Sequence, residues 1–295
     1  MTRSHPPTLL TLLKRSLRGE CGLASGTRLL IAASGGPDSQ ALLHAMGMLR
    51  ERLGFELSVR CVDHGLRPEA EGERELVRAL AAELEVPFSV GVLRVDAGGN
   101  LMARARAARY ADLEAAAKDC GASHVVTAHH ADDRAETVLL RLLRGTSAGA
   151  LAVLPARSGL RLRPMIRSRK SDILAHLKRH RVAFAEDPSN LDKRFLRVRV
   201  RHELMPFLTS LSPGIVEHLN ALADSAAADP LPEILDEAGI PLNLSRAQRN
   251  ALGQLLMRRS RKARVALPGG RVARLGSGGI VVEPALGAAK QAKSD

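Results

Sequence analysis

The chain contains no tryptophan, one tyrosine (Tyr110) and five phenylalanines among 295 residues. So few aromatic faces exclude base stacking as the main grip on a nucleic acid. Cysteine is also scarce: Cys21, Cys61 and Cys120 lie far apart and form no Cys-x-x-Cys pair. That spacing argues against a disulfide framework, a zinc site and an iron–sulfur site. No stretch approaches the roughly 18 uninterrupted apolar residues of a membrane span. Met1 to Leu13, with Pro6, Pro7 and a lone Arg3, lacks the design of a signal peptide, so a cytoplasmic protein is expected. Acids are outnumbered as well: 31 Asp and Glu stand against 44 Lys and Arg, for a net charge of +13. The excess points to a polyanionic partner, nucleic acid ahead of an anionic membrane.

The chain does carry the hexapeptide Ser34-Gly35-Gly36-Pro37-Asp38-Ser39, directly behind the apolar run Leu29 to Ala33. The run reads as a buried strand, and the residues after the loop have helical spacing. Strand, glycine-rich loop and helix start together bind phosphate, because glycines admit close backbone approach and the helix start adds positive charge. The loop is not a Walker A sequence: the Gly-Lys-Ser/Thr ending and its lysine are missing, and Asp38 stands in that region instead. A carboxylate in a phosphate cradle implies an intervening cation, here Mg²⁺. The hexapeptide resembles the pyrophosphate loop (PP-loop) of the adenylating ATP pyrophosphatases, which implies ATP as cofactor.

From about Thr27 to Leu143 strand and helix alternate. Phe55 to Val62, Pro87 to Val95 and His124 to Ala128 read as further strands; Pro68 to Glu85, Leu101 to Cys120 and Ala131 to Leu143 read as helices. Such alternation means an α/β fold with a parallel, Rossmann-like sheet covered on both faces. Ligands then bind at the carboxyl ends of strands, where Ser34 to Ser39, Asp63-His64 and His129 to Asp133 all fall. After Gly145 the pattern breaks. Nine basic residues lie between Arg157 and Arg181, and Arg197 to Arg201 reads Arg-Val-Arg-Val-Arg. From about Leu211 helical Ala/Leu segments follow, then short strands and turns over Val265 to Glu283. We expect a catalytic domain over residues 1–210 and a mainly helical second domain over 211–295.

His129-His130-Ala131-Asp132-Asp133-Arg134-Ala135-Glu136-Thr137 opens the last of these helices. Asp132 or Asp133 shares a helical face with Glu136, so the acids can face a metal or a substrate amine, or merely cap the helix. A His/Asp metal centre built with Asp63-His64 would need further, separately spaced ligands that the chain does not offer.

This motif, the Ser34 loop, Val62 to Arg67, Leu139 to Gly145, Arg163-Pro164-Met165, Glu186 to Asn190 and Arg201 to Pro206 together resemble tRNA(Ile)-lysidine synthetase. Leu267 to Gly270 resembles an element of that family's first C-terminal domain; at 295 residues the family's further C-terminal domain is expected to be absent. The resemblance implies a PP-loop (adenine nucleotide alpha hydrolase-like) sheet. It further implies ATP and Mg²⁺, a tRNA(Ile) with a CAU anticodon and free L-lysine as partners, and commonly a homodimer. The reaction implied is adenylation of the wobble cytidine, then attack by the lysine ε-amine to leave lysidine. Candidate catalytic residues are Asp38, His129, Asp132, Asp133 and Glu136. Ser34, Gly35, Gly36, Pro37, Asp38, Ser39, Asp63 and His64 are expected around the nucleotide, and Asp38 and Asp133 around the metal. Arg106 and Arg109, which with Tyr110 match a family Arg-x-x-Arg-Tyr pattern, join Arg197, Arg199 and Arg201 as substrate-binding candidates. Two departures stand out: Val198 replaces a usual Asn and Met102 a usual Glu. A thiolase-like PP-loop modifier and a catalytically idle tRNA-binding relative are the other readings.

Overall fold

A computed structural model of the chain describes residues 7–63, 70–93, 101–185 and 194–228, and parts of 244–284. His64 and Glu186 to Asn190 lie outside the described residues. Cα packing divides the chain into two units. The first takes in Met1–Glu136 and Leu154–Glu217, the second Thr137–Val153 and His218–Asp295.

The first unit is built on a six-stranded sheet. Its strands are β1 (Arg28–Ala33), β2 (Glu56–Asp63), β3 (Phe88–Val92), β4 (His124–Val126), β5 (Arg157–Ser158) and β6 (Arg161–Leu162), in the order β3-β2-β1-β4-β6-β5. All neighbours are parallel except β5 and β6. The helices before, between and after them are α1 (Leu9–Arg18), α2 (Pro37–Leu53), α3 (Ala70–Glu83), α4 (Leu101–Asp119), α5 (Ala131–Leu143) and α6 (Lys170–His180). From Leu29 onward β1 is apolar because both faces are covered. Leu29, Ile31 and Ala33 join a core with Leu13, Leu42, Met46, Val77 and Ile173, whereas Leu30 packs with Tyr110, Leu113 and Val125 on the opposite face. α2 starts on Pro37, whose missing N–H costs nothing at a first helical position, and stops at Gly54 in the left-handed region.

The expected strands and helices up to Leu143 are present, and their ends fall within three residues of the expected ones among the described residues. The sheet is wider than the sequence suggests. β5 and β6 are two-residue strands in the arginine-rich stretch, too short to leave a periodic signal. β6 lies parallel to β4, pairing Val125 with Arg161 and Val126 with Leu162. Beyond α6, α7 (Leu196–Arg199), a π-helical turn (Val200–Leu204) and α8 (Met205–Leu211) follow in helical backbone. The Arg-Val-Arg-Val-Arg alternation thus sits on a helix.

α9 (Ile215–Ala228) crosses into the second unit. That unit holds a three-stranded antiparallel sheet of β7 (Arg264–Leu267), β8 (Arg271–Leu275) and β9 (Ile280–Pro284). Leu267 and Ala273 from this sheet pack with Leu244, Leu252 and Leu255. No helix among the described residues is long and apolar enough to cross a membrane.

Candidate active site

Strand order places the site. β1 and β4 are parallel neighbours although β2 and β3 intervene in the sequence, and at such a reversal of strand order a crevice opens outside the carboxyl ends. The loop after β1 and the segment after β4 both open there.

The loop after β1 is held by its own serines. The Ser34 N–H donates to Ser39 Oγ at 3.1 Å, and the Ser39 hydroxyl donates to the Gly36 carbonyl at 2.9 Å. Gly35 has φ +77°, and a Cβ there would sit 2.6 Å from the Glu73 carbonyl oxygen and 2.9 Å from Glu73 Cα. Its own carbonyl accepts from the Ala185 N–H at 2.9 Å. Gly36, at the start of α2, supplies no side-chain cap. The first-turn amides of α2 therefore face the crevice without a competing side-chain acceptor, the arrangement that takes an anion.

Asp38, in that first turn, meets Lys170 Nζ at 2.5 Å through Oδ1 and His130 Nε2 at 3.7 Å through Oδ2. His130 is 4% exposed and also stands 3.4 Å from Asp132 Oδ2 and 3.4 Å from Asp133 Oδ2. Burial disfavours its charged form, but Asp132, Asp38 and Asp133 outweigh that and raise its pKa to about 10. The reverse holds for the carboxylates. Burial raises them, yet the bonds to His130 and to α6 prevail, so Asp38 falls below the usual range and Asp132 to about 2. His129 differs from its neighbour: burial lowers it to about 4, with Asp133 pulling upward and Arg163, Arg106 and Arg197 downward. Adjacent histidines therefore divide into a neutral ring, bonded to Thr127 Oγ1 at 3.0 Å, and a charged one.

The three acids of α5 separate by helical position. Asp132 faces α6: its Oδ2 accepts the Lys170 backbone N–H at 2.8 Å, and its Oδ1 accepts from Arg169 Nε at 3.3 Å. Asp133 and Glu136, three apart, share the other face. Glu136 is 3% exposed and takes Arg201 Nε at 2.6 Å on Oε1, with Arg197 Nε at 3.1 Å and Arg201 Nη2 at 3.0 Å on Oε2. Asp133 Oδ1 accepts from Arg197 Nη2 at 2.8 Å and Arg201 Nη2 at 3.1 Å, and its Oδ2 caps the His130 N–H at 3.2 Å. Arg197 and Arg201 straddle the junction of α7 with the π turn.

Of the residues singled out in the sequence, Asp38, His129, Asp132, Asp133, Glu136, Arg197 and Arg201 come together. Arg199 does not; it pairs with Glu203 at 3.2 Å. Arg106 and Arg109 lie over the Tyr110 ring with Arg161, whose guanidinium is 4.0 Å from the centroid. Asp63 ends β2. His130, Lys170 and Arg169 were not singled out. His130 could have been, being half of a His-His pair, but Lys170 and Arg169 lie among many basic residues and carry no local signal. Four carboxylates (Asp38, Asp132, Asp133, Glu136) thus meet five cations (His130, Arg169, Lys170, Arg197, Arg201). Glu217 is a fifth carboxylate, 2.6 Å from Arg169 Nη1, so carboxylates and cations balance.

Among the described residues no trio of His, Cys, Asp or Glu is arranged to hold a metal ion unaided. Oxygen donors beside an anion cradle nevertheless fit Mg²⁺ arriving with phosphates, since that ion takes only one or two carboxylates and keeps other ligands. Asp38 belongs to the cradle itself, and its oxygens, like those of Asp133, already face partners: Lys170 on Oδ1 and His130 on Oδ2.

A family model described as PP-loop domain matches residues 9–208. The tRNA(Ile)-lysidine synthase of Rhodopseudomonas palustris is 43% identical over 216 residues, 71% of this chain and 62% of that protein. Its namesake in Thermobifida fusca is 39% identical over 249 residues, 81% of this chain and 74% of that protein. The chain spans about six tenths of the length of the first such relatives, 62% and 61%. Among solved structures, a U34-tRNA thiolase from Methanococcus maripaludis superposes with a TM-score of 0.63 at 14% identity, covering 78% of this chain and 83% of that one. That likeness is one of fold. With the PP-loop model matched over 9–208 and most of the Thermobifida protein covered, the chain belongs to the PP-loop family and, within it, to the tRNA(Ile)-lysidine synthases.

Proposed function

We propose that this protein is a tRNA-modifying ligase that adenylates the wobble cytidine of a tRNA(Ile) with a CAU anticodon and joins free L-lysine to it. The observation that carries the reading is the meeting of an uncapped phosphate cradle and a buried acidic pair in one crevice, joined by His130. In the first step the cytidine carbon-2 oxygen attacks the α-phosphate of ATP, and the P–O bond to the β-phosphate breaks. Ser34 to Ser39 and the α2 amides receive the departing pyrophosphate, whose charge they stabilise without reorganising. Asp38, and Asp133 if it gives up an arginine, would hold Mg²⁺, which would add to the neutralisation of phosphate charge. In the second step the lysine amine attacks carbon 2 and AMP leaves. Asp133 and Glu136 form the anionic pocket for that amine, which enters by exchanging with Arg197 or Arg201. Asp133, Glu136 or His129 accepts the proton the amine must lose. Asp132 acts by fixing the start of α6 beside the loop.

The basic stretch from Arg157 to Arg201 and the domain from residue 211 onward hold the tRNA, mainly through phosphates and so in a salt-sensitive way. A cytoplasmic homodimer belongs to the same reading. The cysteines speak against a thiolase: Cys21 and Cys61 are buried, Cys120 is exposed, and among the described residues they form no joint cluster. Incubation with ATP, Mg²⁺, radiolabelled lysine and a CAU-anticodon tRNA(Ile) transcript tests the proposal. Label entering the tRNA with release of AMP and pyrophosphate supports it. Pyrophosphate without lysine points to another base modifier, and RNA binding without either to an idle relative.

A further inference from the structure

The PP-loop carries no lysine, yet an ammonium stands at its mouth. Lys170 Nζ lies 2.5 Å from Asp38 Oδ1, in the first turn of α2. We infer that Lys170 is the phosphate-binding lysine of this site, delivered from α6 across the crevice, and that it grips the β- and γ-phosphates of ATP and then the free pyrophosphate. The inference rests on the nucleotide reading above and extends it to a residue that the loop motif does not contain.

Its mounting supports that role. Lys170 is the first residue of α6, and its backbone N–H is bound by Asp132. The preceding residue, Arg169, donates its N–H to Asp172 at 2.8 Å, and Ile173 and Leu177 anchor the helix in the core beside α2. Six residues along each helix a second contact repeats the first: His44 Nδ1 and His176 Nε2 are 2.9 Å apart, as 44 follows 38 and 176 follows 170. α2 and α6 therefore run side by side in one direction, tied at the mouth and about 9 Å behind it. A lysine so placed is preorganised, and only its half-exposed tip need move. Asp38 holds the ammonium in the absence of nucleotide. When phosphates arrive, the lysine exchanges one anionic partner for another and Asp38 is released toward the accompanying cation.

The test is calorimetric binding of ATP, inorganic pyrophosphate and AMP, each with Mg²⁺, to wild type, Lys170→Met and Lys170→Arg, without tRNA or lysine. Loss of a charge-assisted contact should weaken ATP and pyrophosphate about ten- to hundredfold in Lys170→Met. AMP should bind unchanged, and Lys170→Arg should recover much of the loss. Thermal unfolding of each variant monitors the fold. Undiminished ATP binding by Lys170→Met would overturn the inference and leave Lys170 as a neutraliser of Asp38. Equal weakening of ATP and AMP would overturn it too. A wild type that binds no ATP would sink the nucleotide reading and this inference with it. A wild type that shows the expected discrimination but adds no lysine to tRNA would sink only the ligase reading.

Discussion

Replacing His130 by glutamine asks whether one buried imidazolium organises the carboxylates at the crevice. In the intact protein burial opposes its charge, but Asp132, Asp38 and Asp133 hold the proton to about pH 10, against an ordinary 6.5. At 1.36 kcal/mol per tenfold change in proton affinity, that rise is worth at most about 5 kcal/mol. Because the ring and its partners titrate together, about 2–3 kcal/mol is the share expected for His130. A histidine whose folded pKa exceeds its unfolded one stabilises fully below the unfolded value, and the contribution is lost as pH rises through the folded value. Here the loss runs from about pH 6.5 to about pH 10. Urea unfolding of wild type and His130→Gln at several pH values measures it. Between these limits wild-type stability should fall by roughly 1 kcal/mol per pH unit more steeply than that of the variant. Near pH 7 the variant should be the less stable by about 2–3 kcal/mol. Parallel stability curves would refute the reasoning, because they would mean that His130 is uncharged or that its charge is unpaired.

Three further outcomes are expected. Asp38→Asn should slow pyrophosphate release by about a hundredfold or more while filter-binding affinity for tRNA stays near wild type. Gly35→Ala combines a positive φ with a Cβ 2.6 Å from a backbone oxygen; it should cost about 1–3 kcal/mol by denaturation and abolish calorimetric ATP binding. Arg201→Met removes two of the three arginine contacts to buried Glu136, the shortest among them, and should lower stability by about 2 kcal/mol, read as a fall in Tm, with Arg201→Lys recovering only a fraction because it loses the forked geometry.

Much of this was legible in the residues. The apolar run ending in Ser34-Gly35-Gly36 defined β1, its loop and the start of α2, because a strand buried on both faces and a loop needing positive φ leave strong local signatures. The pairing of Asp133 with Glu136 followed from helical spacing. The distinct role of Asp132 did not emerge, although adjacent helical residues diverge by about 100°; only the approach of α6 shows what it faces. Lys170 and Arg169 were hidden for a related reason. Among the nine basic residues between Arg157 and Arg181 nothing local marks Lys170 as the one that reaches Asp38 or Arg169 as the one that reaches Asp132. Likewise Arg197, Arg199 and Arg201 look equivalent in an alternating string, whereas the helix and its π turn send the middle one to Glu203.

The doubled tie between α2 and α6 limits how the gene can vary. Substitutions at positions that make neither tie can be absorbed one side chain at a time. Adding or deleting a single residue between positions 38 and 44, or between 170 and 176, would swing everything beyond it by about 100° and break either the front tie or the rear one. Length, as well as the chemistry of the tying residues, is what these two short segments must conserve.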